Sequence, residues 1–124
     1  METKLKRTDF SDQRQWQRIP ALVEVKWREK GDTFTPYHHA QLMDIHHEGC
    51  RLLGSLYFER EKIVSMMVDF SSEGPCYLEG VVAWSAPVYK NRIFETGVRF
   101  LTNDPNSEQV YLKLFHFCLI NMPR

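Results

Sequence analysis

The chain has 124 residues, 43% of them apolar, with 16 lysines and arginines against 16 aspartates and glutamates. That length suits one domain with one modest core that needs no metal or disulfide staple. A formal charge of zero argues against the strongly basic footprint of a protein that grips a nucleic-acid polymer.

The charge is unevenly placed. Lys4, Lys6, Arg7, Arg14 and Arg18 make residues 1–20 a basic arm on a neutral body, which suits a small anionic ligand better than a polymer. Ser11 or Asp12 is positioned to cap a single helical turn through Arg18, with Pro20 ending it. From Ala21 the period is two: Val23, Val25 and Trp27 alternate with Glu24, Lys26 and Arg28, as in a one-sided strand. Glu29 to Asp32 reads as a turn, Tyr37 to Ile45 as a second strand and Cys50 to Leu53 as a third. His47-Glu48-Gly49 is then the reversal, with Gly49 supplying either positive φ or close backbone approach. Ile63 to Phe70 reads as a fourth strand with Val64, Met66, Val68 and Phe70 on one face. After the turn at Ser71–Pro75, Tyr77 to Ser85 and Arg92 to Phe100 pair as the fifth and sixth. Short strands at this spacing predict an antiparallel barrel or sandwich. Asp104 is an expected N-cap with Pro105 at the first helical position. The breaker-free run from Glu108 to Met122 extends that helix to about 104–122. The expected organisation is an arm over 1–20 and an all-β domain with a C-terminal helix over 21–124.

Two motifs carry the chemistry. Arg14 and Arg18 stand four apart as R-x-x-x-R, and Asp44-Ile45-His46-His47-Glu48-Gly49 follows in the second strand and its turn. Guanidinium forks grip phosphates or the O6/N7 edge of guanine, and a carboxylate accepts from the guanine N1–H and amino donors. Asp44 at a strand end is equally readable as a turn former.

Together the motifs resemble the PilZ domain, a bacterial receptor domain for cyclic di-GMP with R-x-x-x-R on an N-terminal arm and [D/N]-x-S-x-x-G on a barrel. Gly80-Val81-Val82-Ala83-Trp84 is similar to that family's G-x-V-x-W strand, and Gly97-Val98-Arg99-Phe100 to its closing strand before a terminal helix. The resemblance implies a six-stranded antiparallel PilZ-type β-barrel with a C-terminal helix, and cyclic di-GMP as ligand with no other cofactor. It implies that Arg14 and Arg18 contact phosphate and a guanine Hoogsteen edge as the arm closes. Asp44 would accept from a guanine Watson–Crick edge, and Gly49 would let the backbone turn beneath the ligand. His46 stands where the family has serine, and its imidazole either donates in place of that hydroxyl or obstructs the base. The expected function is a receptor or adaptor that passes the signal to a partner protein. The alternative is a degenerate interaction module that does not bind cyclic di-GMP.

Other features are read more plainly. Cys50, Cys76 and Cys118 are odd in number and not in C-x-x-C spacing, as expected of free thiols in a reducing, cytoplasmic compartment. His38-His39 and His46-His47 lack metal-ligand spacing, so no metal is expected. No nucleophile–base arrangement is recognisable, so the chain is not expected to be an enzyme. No apolar stretch reaches membrane-span length, and no direct membrane insertion is expected. Trp27 and Trp84 read as core or barrel-rim residues, and Trp16 as a contact with the barrel ahead of a stacking platform. The helix is apolar nearly all round from Val110 to Ile120, which predicts one face on the barrel and the other on a second copy or a partner protein.

Overall fold

The structure is a computed structural model that describes residues 19–46, 48–70, 74–90 and 92–121. Arg14, Trp16 and Arg18, with the expected helical turn over 11–18, lie outside the described residues, as does His47.

Six strands close into an antiparallel barrel: β1 (Ile19–Glu29), β2 (His38–Ile45), β3 (Gly49–Gly54), β4 (Ile63–Val68), β5 (Cys76–Tyr89) and β6 (Ile93–Phe100). The order around the barrel is β1-β2-β3-β6-β5-β4, with β4 pairing back onto β1. Alternation explains the core. Val25, Trp27, Leu42, Leu52, Val64, Met66, Val68, Val82 and Val98 point inward and are each no more than 2% exposed. Trp27, expected in the core or at its rim, is fully buried and meets Phe58 edge-on with ring centroids 4.6 Å apart.

The strands differ from expectation at their ends. β1 begins at Ile19, ahead of the expected Ala21, so Pro20 sits in the strand opposite Asp44, exposed, where a strand end tolerates its missing N–H. Gly49 begins β3 instead of lying in the turn. β4 stops at Val68, and Phe70 packs beyond it on Phe117 with centroids 5.3 Å apart. β5 runs on to Tyr89 and takes up most of the expected β5–β6 connection.

Helix α1 spans Pro105–Ile120. The Asp104 side chain caps it by accepting from the Ser107 N–H at 2.8 Å, and Pro105 occupies the first turn, where an N–H is not needed. Tyr111, Leu114 and Cys118 form the buried stripe that closes the barrel's end. Leu112, Leu119 and Ile120 remain exposed on the far side, at 53%, 46% and 67%.

Candidate functional site

Four residues stand in one row across four neighbouring strands. Asp44 of β2 pairs with Arg51 of β3, Arg51 with Gly97 of β6, and Gly97 with Trp84 of β5. The row lies on the outer face of the barrel, because Cys50 and Leu52 flank Arg51 and point inward. Neither Asp44 nor Trp84 reaches that face by simple alternation. Leu42 is interior, so a residue two further along would follow it into the core. Between Leu42 and Asp44, β2 advances two residues while β3 advances only from Leu52 to Arg51, so Met43 is the extra residue of a β-bulge and Asp44 is turned outward. Ala83 does the same for Trp84: Val82 pairs with Val98 inside, and Trp84 pairs with Gly97 outside.

Asp44 is nevertheless only 5% exposed, partly because Arg51 covers it. The Arg51 Nη2 donates to Asp44 Oδ2 at 2.8 Å, and its Nη1 donates to Glu95 Oε2 at 2.8 Å. Its Nε has no hydrogen-bond partner among the described residues. Asp44 and Glu95 bring two carboxylates, both acceptors, to either side of one guanidinium. Such a site favours a donor-rich partner, which the Watson–Crick edge of guanine is.

Beside this row the chain reverses in a tight turn. His46 and Gly49 exchange backbone bonds at 2.9 and 3.3 Å, and the Glu48 N–H donates to His46 Nδ1 at 3.3 Å. That bond requires an unprotonated Nδ1. Of the two roles expected for Gly49, close approach is the one observed. A Cβ added there would lie 2.0 Å from the Val98 carbonyl oxygen, whereas positive φ among the glycines belongs to Gly31 and Gly74. The Phe100 N–H donates to the Glu48 carbonyl at 2.9 Å, which fixes the turn against β6. From the other side the Tyr111 hydroxyl donates to the His46 carbonyl at 3.2 Å. Burial, assisted by the nearby Glu48 charge, pushes the Tyr111 phenol up to about 12.

A groove of about 220 Å³ joins the turn to the row, lined among others by His46, Arg51, Trp84 and Arg99. Trp84 is 40% exposed and lies flat enough on Gly97 that a Cβ there would meet its Nε1 at 2.2 Å. The reading of Trp84 as a core or rim residue is thus corrected: the bulge at Ala83 turns it out of the interior, and the missing side chain at Gly97 gives it a seat. An exposed indole face, carboxylate acceptors and the exposed Arg99 cation are the groups that stack a purine, read its edge and meet a phosphate. The volume is below the roughly 300 Å³ at which pockets enclose a drug-sized ligand, so the groove suits one base of a larger ligand.

The site therefore joins Asp44, His46 and Gly49 from the sequence motif with Arg51, Trp84, Glu95 and Arg99, which sequence reasoning did not single out for ligand contact. The available signal was a carboxylate at an inward position of an apolar strand, which a bulge resolves. Among the described residues no cluster of three or more His, Cys, Asp or Glu could hold a metal ion, and His39 pairs instead with Glu24. The three cysteines are free, and burial raises the Cys118 thiol to about 11. Among the described residues no helix is long and apolar enough to cross a membrane.

The model of a family described as the PilZ domain matches residues 12–116. Among solved structures, K. pneumonia MrkH in its apo state superposes with a TM-score of 0.62 at 13% identity, covering 84% of this chain and 50% of that one. A P2(1) crystal of MrkH gives 0.63 at 11% identity, with 84% and 48% covered. The MrkH–c-di-GMP complex gives 0.55 at 12%, with 81% and 51% covered. The chain thus spans about half the length of the MrkH chains it matches, at identities that bear on the fold alone. No curated protein matches it.

Proposed function

The chain belongs to the PilZ domain family, and from that premise we propose that it is a bacterial, cytoplasmic receptor for cyclic di-GMP that passes the signal to a partner protein or a second copy of itself. The observation that carries this reading is the outward row of Asp44, Arg51, Gly97 and Trp84, built by two bulges next to the motif turn. Asp44 accepts from the Watson–Crick edge of one guanine, and Trp84 offers the face on which that base stacks. His46 and Gly49 form the turn against which the ligand sits, and Arg14 and Arg18 bring guanidinium forks to phosphate and Hoogsteen edge. MrkH, which shares the fold at low identity, has been solved with c-di-GMP. No catalytic step and no further cofactor enters this function. The outlet for the signal is the exposed strip Leu112, Leu119 and Ile120 on helix α1, whose other face is tied to the turn through Tyr111.

Calorimetric titration with cyclic di-GMP tests the reading. The parent protein is expected to bind, and Arg14→Ala and Arg18→Ala are each expected to weaken binding by roughly tenfold or more, the size of one lost bidentate contact. No heat at high micromolar ligand would leave the second reading, an interaction module that has lost the dinucleotide. His46 in the serine position and the exposed apolar strip of α1 favour that alternative.

A further inference from the structure

We infer that Arg51, braced by Glu95, is a positioning residue that holds Asp44 in the orientation needed to read the guanine 2-amino group. The inference rests on the cyclic di-GMP reading and adds two residues that neither motif contains.

Three observations support it. First, the two terminal nitrogens of Arg51 are already committed, one to Asp44 and one to Glu95, each at 2.8 Å. A guanidinium anchored at two points has a fixed plane, so it acts here as a strut between β2 and β6 more than as a free phosphate clamp. Second, the pairing is not a solvent-screened surface contact. The Asp44 side chain is 7% exposed, and those of Arg51 and Glu95 are 33% and 27% exposed. Third, Asp44 needs such a strut. The Met43 bulge turns it away from the core packing that orders Leu42 and Ile45, so its rotamer must be set by polar contacts. Arg51 occupies Oδ2, but a carboxylate has about four acceptor positions, enough for the strut and a base together.

Reading guanine requires that a carboxylate meet N1–H and the 2-amino group side by side. A carboxylate turned away from that orientation would still bind the anionic ligand's base through one donor, but would lose the second. The position of Arg51 therefore governs discrimination between bases more than it governs total affinity. Glu95 contributes by keeping the guanidinium from swinging into the groove toward phosphate. Lysine, a single ammonium on a flexible stem, cannot join both carboxylates in one plane.

The test compares cyclic di-GMP with cyclic di-IMP, which lacks the 2-amino group, by calorimetry on the full chain. The parent is expected to prefer cyclic di-GMP by about tenfold, one hydrogen bond to a charged acceptor. Asp44→Asn is expected to erase that preference. Arg51→Lys is expected to reduce it to roughly two- to threefold, and Glu95→Gln to shift it in the same direction by less. Melting curves accompany each variant. A merely structural role would lower the melting temperature and both affinities together, leaving their ratio unchanged. Parental preference in folded Arg51→Lys and Glu95→Gln proteins would overturn the inference while leaving the receptor reading intact. If Arg51→Lys fails to fold, an unchanged ratio in Glu95→Gln alone overturns it. A parent that binds neither dinucleotide removes the receptor reading, and this inference with it.

Discussion

Tyr111 on helix α1 donates its hydroxyl to the main-chain carbonyl of His46 at 3.2 Å, joining residues 65 positions apart. The bond links the element that closes the barrel to the turn of the candidate site. Its ring also packs on Phe100, the residue whose N–H holds the same turn through Glu48. Displacement of the turn is therefore felt directly by the helix.

Tyr111→Phe should keep the packing and lose the bond, at about 1 kcal/mol of stability. The variant should also change the alkaline limb. The Tyr111 phenol is raised to about 12 in the folded chain, so its contribution is fully present below the ordinary tyrosine value and is lost as pH rises toward 12. Urea denaturation at roughly pH 8 and pH 11 checks this: the stability difference between parent and variant should shrink or reverse at the higher value.

Gly49 and Gly97 should respond differently to alanine. At Gly49 the added carbon would lie 2.0 Å from a backbone oxygen, Val98, which cannot step aside without opening the β3–β6 ladder. At Gly97 it would meet the ring of Trp84, which can lift toward solvent. Gly49→Ala is expected to cost about 3 kcal/mol and Gly97→Ala about 1 kcal/mol, the two ends of the range for overpacking. Chemical denaturation measures the costs. A change in tryptophan emission confined to Gly97→Ala would register the displaced indole.

His46→Ser should tighten binding of cyclic di-GMP by about tenfold. A serine hydroxyl can accept the Glu48 N–H as the imidazole Nδ1 now does, while clearing ring volume from the groove. Calorimetry on parent and variant decides it; equal affinities would mean that the ring already lies clear of the base.

The two faces of α1 should separate by substitution. Leu114 is fully buried, and Leu114→Ala is expected to cost about 2–5 kcal/mol. Leu112→Glu combined with Ile120→Glu should leave the melting temperature nearly unchanged, because both residues are exposed, yet should disperse any self-association of the parent. Light scattering across a concentration series, with melting curves beside it, makes the comparison.

Much of the barrel could be read from the chain because its strands alternate and its helix is capped by local chemistry. Val25 and Trp27 in β1, Val64, Met66 and Val68 in β4, and Asp104 before Pro105 each announce their own surroundings. Asp44 and Trp84 do not. Each follows an interior residue at the spacing that normally means the same face, and only the partner strand reveals the extra residue between. Arg51 was hidden for a related reason: its meaning comes from Asp44 and Glu95 on the strands to either side, and no pattern along β3 names them. The arm residues Arg14 and Arg18 were legible only as a motif, and they lie outside the described residues.

The bulges at Met43 and Ala83 work as one-letter insertions in a two-letter code, and each resets the frame for the residues after it. Straightening either bulge with its extra residue kept would leave the chemical groups of the row in the sequence and send one of them into the core. Anyone transplanting this site onto another barrel must match the count: Met43 and Ala83 travel with Asp44 and Trp84 only where the host strand bulges, and are left behind where it runs straight.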